Sequence, residues 1–262
     1  MNREAMLMYP DEYRVMFEFE DDYWWYRGLR VLLKRLLAQY GPADQASAMI
    51  LDVGCGTGGN LRVLQSYGHA IGVDISEQAI AFCRARGIPE SRAFLASADE
   101  LPFPNSIFDL AVSFDVFCNF ADDAPAFGEI ARVLRPGAPF IVGLPAYQWL
   151  WSVHDVAVGH RRRYDARQLR QKISMAGFEI ERITYANLLL MPLIATVRLM
   201  CRRVKGNGHA VHSDLVPLPR IINASLAALF IGEMHAASRV NLPYGLSVIA
   251  VARKRRSTTS EL

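Results

Sequence analysis

An apolar strand that runs directly into a cluster of glycines constrains this chain more than any other feature. Ala48 to Val53 is a short apolar run with β-branched residues, and it is followed at once by Gly54-Cys55-Gly56-Thr57-Gly58-Gly59. Such a run reads as a buried strand, and the glycines after it let the backbone turn sharply and approach a ligand closely. Gly59 to Tyr67 then has helical spacing. The alternation continues down the chain. Ala70 to Val73 is a strand ending at Asp74; Ser76 caps a helix running to Arg86, and Gly87 stops it. Ala93 to Ala96 and Phe108 to Phe114 are the third and fourth strands, Asp122 to Leu134 is a helix stopped by Pro136-Gly137, and Phe140 to Leu144 is a fifth strand. Strands alternating with helices predict an α/β, doubly wound fold with parallel strands and helices on both faces. Sheets of that kind bind ligands beyond the carboxyl ends of their strands, where the strand order reverses.

Gly54, Gly56 and Gly59 satisfy G-x-G-x-x-G, a pattern that nicotinamide enzymes share, and Asp74 lies at the distance of the acid that takes ribose hydroxyls. Asp52 tilts the reading. A carboxylate just before the first glycine repels a pyrophosphate and attracts an ammonium group. The stretch Ala96-Ser97-Ala98-Asp99-Glu100-Leu101-Pro102-Phe103 and the chain's ending in two strands flanking an insert point the same way.

With Leu51 to Gly58, Gly72 to Ser76, Leu101 to Pro104, Phe108 to Leu110 and Arg132 to Gly137 taken together, the chain resembles the class I S-adenosylmethionine-dependent methyltransferases of the type 11 kind over about Met49 to Leu144. The resemblance implies a Rossmann-like seven-stranded sheet whose last strand is antiparallel, and S-adenosyl-L-methionine as cofactor. It implies that Asp52, Gly54, Gly56 and Gly58 line the methionine portion, that Asp74 holds the ribose, and that Ile75 packs on adenine. Ser97 and Ala98 meet the adenine edge, and Ser113 to Asp115 close over the sulfonium. Ser97 stands where the family usually has an acid, so Asp99 or the Ser97 hydroxyl becomes the expected substitute.

Outside that core the pattern changes. The stretch up to Tyr40 reads as helical, with Leu29, Leu32, Leu33, Leu36 and Leu37 in a stripe and Gly41-Pro42 ending it; Tyr23-Trp24-Trp25-Tyr26-Arg27 is a candidate lid. Pro145 to Tyr164 reads as loop, Asp165 to Ala176 as a helix ended by Gly177, and Phe178 to Tyr185 as a strand. Leu188 to Phe230 is mostly apolar and helical, broken near Lys205-Gly206-Asn207-Gly208, and Leu246 to Val251 is the last strand. The division expected is a lid over 1–47, a cofactor core over 48–187, an apolar helical insertion over 188–243, and a last strand with a basic tail over 244–262.

Because Pro145 to Tyr164 follows the fifth strand, it can overhang the pocket. Its His154, Asp155, His160, Arg163 and Tyr164 are the candidate catalytic groups, histidine being the side chain poised to take a proton near neutral pH and arginine the clamp for an anionic substituent. The H-x(5)-H-R-R-x-Y spacing is similar to a segment of bacterial methyltransferases of this group. The alternative is a loop pinned by histidine hydrogen bonds. His209 and His212 read as exposed linker, and no metal site is expected.

The apolar insertion suits a small or lipid-like hydrophobic acceptor methylated at oxygen or nitrogen; with the basic C-terminus it also suits peripheral membrane contact, while a homodimer contact competes. The net charge of +3 gives no argument for nucleic acid. Four cysteines with no C-x-x-C pair read as reduced thiols, no secretory h-region opens the chain, and no run of about 18 apolar residues is present, so the expectation is a cytoplasmic protein, membrane-associated at most. Two rivals to an enzyme of this family are a non-catalytic subunit that keeps the cofactor fold and a nicotinamide oxidoreductase.

Overall fold

The computed structural model describes residues 7–204 and 213–256. Met49–Val53 (β1), His69–Asp74 (β2), Ala93–Leu95 (β3), Leu110–Phe114 (β4), Pro139–Pro145 (β5), Phe178–Ala186 (β6) and Ser247–Lys254 (β7) form one seven-stranded sheet of order β3-β2-β1-β4-β5-β7-β6. The pairs β1–β2, β1–β4, β2–β3 and β4–β5 are parallel, whereas β7 is antiparallel to both β5 and β6. The expected doubly wound sheet with an antiparallel last strand is therefore the observed one. The chain moves outward through β1, β2 and β3 and returns to place β4 on the other side of β1. That reversal opens a crevice at the carboxyl ends of β1 and β4.

Local chemistry explains the helices that flank the sheet. Gly59–Leu64 (α3) starts from Gly58 in the left-handed region, at φ +91°. Glu77–Ala85 (α4) is capped by Ser76, whose Oγ accepts from the Ala79 N–H at 3.2 Å. Ala124–Val133 forms α5, and Ala166–Met175 (α7) opens on a reciprocal cap between Asp165 and Gln168. Apolar residues fill both faces, Leu51, Val53 and Val142 on one side of the sheet and Ile50, Val112 and Ile141 on the other.

Three elements depart from the sequence reading. The N-terminal stretch is two helices, Pro10–Phe19 (α1) and Trp24–Tyr40 (α2). The break is held by Arg30, whose guanidinium donates to the carbonyls of Glu20 and Asp21 at 2.5 and 2.6 Å and so satisfies the end of α1. The segment read as loop after β5 contains a 3-10 turn, Gln148–Leu150, and a short helix, Val153–Ala157 (α6), opened by a capping box between Ser152 and Asp155. The insertion holds Met191–Val204 (α8) and Arg220–Ala237 (α9), the latter continuing past Phe230. The break at Lys205 to Gly208, with His209 and His212, lies outside the described residues. Among the described residues no helix is long and apolar enough to cross a membrane.

Candidate active site

The glycine loop is built from the strand it leaves. Gly54 and Gly56 sit at φ +70° and +53°, and the N–H groups of Gly54 and Cys55 both bond the Val73 carbonyl, at 2.8 and 2.9 Å. Asp74, at the end of β2, completes the turn: its two oxygens accept from the Gly56 N–H at 3.0 Å and the Ser76 N–H at 2.9 Å. The crevice below is walled by Gly54, Gly56, Asp74, Ile75, Ser97, Ala98 and Asp115, seven of the ten cofactor positions expected from the sequence.

Asp52, Gly58 and Ser113 do not line it. Ser113 is fully buried, and its hydroxyl donates to the Val53 carbonyl at 3.0 Å; the crevice at this point is lined by Phe114, Asp115 and Val116. Gly58 serves the backbone at the start of α3. Asp52 is buried one layer down, with Oδ2 unpartnered. The Ser97 hydroxyl donates to Asp99, so these two stand together at the crevice edge.

Acids line this wall and lie just behind it. Burial, reinforced by the charges of Glu20 and Asp74, pushes the Asp52 carboxyl up to about 8. Burial also raises Asp74, Asp115 and Glu20. The cation beside the glycine loop, Arg86, is held by Glu20 at 3.0 Å and Asp21 at 2.8 Å. The crevice therefore presents buried acids with an engaged guanidinium, a lining that favours a positively charged ligand over a phosphate-bearing one.

The N-terminal wall of the crevice is larger than the aromatic cluster suggests. Trp25 and Tyr26 line the crevice, whereas Tyr23 and Trp24 are buried in the packing behind them. The sequence reading missed the contribution of α1, whose Glu12, Tyr13, Met16 and Glu20 close one side. Their i, i+1, i+4, i+8 spacing is a helical-face signal that an acidic surface helix obscures. Burial and the nearby Asp74 charge push the Tyr13 hydroxyl up to about 12. Asn60, Asn119, Phe120 and Leu215 were missed as well, single residues in turns or helix starts without a motif around them.

The histidine segment brings three of its five candidates into one network. His160 Nδ1 lies 2.9 Å from Asp155 Oδ1. Arg163 donates to the same carboxylate at 2.7 and 3.1 Å, the Ser152 N–H at 2.7 Å, and Arg163 also reaches the Ala146 carbonyl at 3.0 Å. Burial alone would raise the Asp155 carboxyl, but the His160 hydrogen bond and the Arg163 charge hold it far below the usual range. Asp155 thus pairs with His160 and not with its sequence neighbour.

His154 faces its own partner. Its Nδ1 accepts from the Asp214 N–H at 3.0 Å, and burial pushes it down to about 4. Both histidines line the crevice, edge to face, with ring centres 6.1 Å apart. Asp155, Arg163 and Tyr164 do not line it. Tyr164 corrects the sequence reading: its hydroxyl lies 2.6 Å from Asp123 Oδ2 and 3.0 Å from the Phe117 carbonyl, inside the core, where it anchors the loop.

Comparisons with known proteins agree with this geometry. Residues 51–142 match the family described as a methyltransferase domain. A probable S-adenosylmethionine-dependent methyltransferase of Mycolicibacterium smegmatis is 32% identical over 165 residues, 62% of this chain and 62% of that relative. A probable S-adenosylmethionine-dependent methyltransferase of Mycobacterium tuberculosis is 29% identical over 251 residues, 91% of this chain and 87% of the relative. Among solved structures, phosphoethanolamine N-methyltransferase 2 of Haemonchus contortus in complex with S-adenosyl-L-methionine superposes with a TM-score of 0.58 at 18% identity, covering 95% of this chain and 58% of that one.

Proposed function

We propose that this chain is a class I S-adenosylmethionine-dependent methyltransferase that methylates an oxygen or nitrogen of a small or lipid-like acceptor, with His160 as the group that takes the acceptor's proton. Bound S-adenosylmethionine supplies an electrophilic methyl group carried on a sulfonium. The residues present fit it. Gly54 and Gly56 take the positive φ that the loop requires, and the buried acids Asp74 and Asp115 in the wall, with Asp52 one layer behind, suit its positive charges. The Asp74 oxygens accept from the N–H groups of Gly56 and Ser76, and Ile75 adds a third backbone bond; a carboxylate offers about four acceptor directions, so capacity remains for a ribose hydroxyl.

The observation that carries the reading is the opposite arrangement of the two histidines. A carboxylate at His160 Nδ1 fixes the proton there and leaves the Nε2 lone pair for a ligand in the crevice. Asp155 then stabilises the imidazolium formed on proton uptake, and Arg163 holds Asp155. A backbone N–H at His154 Nδ1 fixes the other tautomer, so its Nε2–H donates and can orient the acceptor atom. Trp25, Leu29, Phe120, Val158 and Leu215 line the same crevice, which supports a hydrophobic acceptor.

Transfer of labelled methyl groups into fractionated small-molecule and lipid extracts, read by mass spectrometry, tests the assignment. His160→Gln is expected to lower turnover by about 100-fold or more, the usual contribution of a general base, while adenosylhomocysteine affinity stays within about 2-fold. Full turnover in His160→Gln, or no methylated product from any fraction, would remove the proposal.

A further inference from the structure

The outer face of α8 is unpartnered and apolar. Leu189, just before the helix, and Leu193, Val197 and Met200 recur at intervals of four, four and three residues and are 52, 64, 52 and 64% exposed. That spacing puts them on one stripe. The opposite face is the packed one: Met191 and Ala195 are buried with Leu150 and Leu246. The 3-10 turn that α8 packs against carries Trp149, itself 48% exposed.

This face stands at the rim of the active site. Arg198, on α8, pairs with Asp214 at 2.5 Å. The Asp214 N–H bonds His154, and the next residue, Leu215, lines the crevice with it. One ion pair therefore separates the exposed stripe from the wall that meets the acceptor.

Charge selects what covers the stripe. Residues 188–243 carry Arg198, Arg202, Arg203, Lys205, Arg220 and Arg239 against only Asp214 and Glu233. Both acids are engaged internally, Asp214 with Arg198, and Glu233 as acceptor for the N–H groups of Leu188 and Leu189. A twofold contact between copies would bring this cationic segment against itself, and like charges across an interface oppose association. An anionic surface would be complementary to it. An apolar stripe in a segment of net positive charge, with an exposed tryptophan on the adjoining turn, matches the physics of an interfacial helix.

We propose that α8 and the turn bearing Trp149 form a docking face for an anionic lipid bilayer, seating the mouth of the active site at the membrane surface. The binding itself does not depend on which acceptor the site takes, so it is tested apart from turnover. The full chain is floated with vesicles of phosphatidylcholine alone and of phosphatidylcholine with phosphatidylglycerol, at low and high salt. Expected are flotation with the anionic vesicles, at least 10-fold weaker binding without the anionic lipid or at high salt, and a further loss of at least 10-fold in the triple variant Leu193→Glu, Val197→Glu, Met200→Glu. The three positions are exposed, so the variant should keep wild-type adenosylhomocysteine affinity, which serves as the folding control. No flotation of the wild-type chain with anionic vesicles would overturn the proposal, as would unchanged flotation of the triple variant. A dimer in sedimentation velocity that the same triple variant abolishes would assign the face to a second copy and overturn it equally.

Discussion

His154 and His160 belong to the same short stretch yet have different fates because of what each Nδ1 meets. Asp155 follows His154 in sequence, and adjacency suggests a pair. On a helix, consecutive side chains diverge by about 100°, which turns Asp155 inward to His160 and Arg163 and leaves His154 to Asp214. The consequence for His154 is measurable. Its folded-state value of about 4 lies below the ordinary histidine value of 6.5, so the folded protein binds its proton more weakly than the unfolded chain. The stability it contributes is complete above about pH 6.5 and is lost as pH falls toward 4. His154 keeps partial exposure, so the loss is discounted to about 1–2 kcal/mol from the roughly 3 that the full shift would give. Urea unfolding at pH 7.5, 6.0 and 5.0 should show that slope in the wild type and a flatter one in His154→Gln. Parallel slopes would mean that the ring is not held neutral by its surroundings.

The element that most changes the picture of the site is α1, which is latched to the glycine loop. Glu20, at its C-terminal end, accepts from the Thr57 hydroxyl and from Arg86. Arg86 in turn donates to the Phe17 carbonyl at 3.1 Å and lies over the Phe17 ring, 4.7 Å from its centre. Gly59 is required at this joint, since a Cβ there would sit 2.3 Å from the Glu20 carboxylate. Arg86→Ala would leave Glu20 buried without its cation, a change that costs about 3–5 kcal/mol for a buried pair. The expected result is a lower denaturation midpoint, faster amide exchange over residues 10–19, and weaker adenosylhomocysteine binding. Unchanged exchange in α1 would show that the latch does not hold the lid. These contacts explain what was legible in the sequence and what was not. The strands, the glycine loop, Asp74 and the Ser76 cap are local patterns, and the sequence reading located them within a few residues. The break between α1 and α2 depends on Arg30 reaching back to two carbonyls, and the role of Glu20 depends on a loop far along the chain, so neither has a local signature. α6 escaped notice because five residues are too few to establish a helical period, although Ser152-x-x-Asp155 is a capping signal.

At the scale of the molecule, the insertion is only partly an appendage. Its second helix, α9, places Phe230 stacked on Trp25 at 5.2 Å and edge-on to Trp24 at 5.5 Å, while Ala227, Met234 and Ala237 join Leu33 and Leu36 of α2 in the layer that covers Ile50 and Val112. Gly28 of α2 admits this packing because a Cβ at that position would fall 2.1 Å from the Phe230 ring. One layer therefore joins α2, α9 and the central strands, and the crevice wall at Trp25 packs on a residue about 200 positions later in the chain. Phe230→Ala should cost about 3–5 kcal/mol, the range for emptying a large aromatic site that is fully buried. If the layer is continuous, unfolding followed by tryptophan fluorescence and by far-ultraviolet circular dichroism will shift together and remain coincident in the variant. Adenosylhomocysteine at about 100 times its dissociation constant will restore about 2.7 kcal/mol, because the ligand binds the intact lid. An appendage would behave otherwise: in the variant, fluorescence would report early loss of the packing around Trp24 and Trp25, dichroism would keep the wild-type midpoint, and the ligand would leave the first transition where it was. Such a separation would place the cooperative boundary between α2 and α9 and would detach the acceptor side of the site from the fold that holds the cofactor.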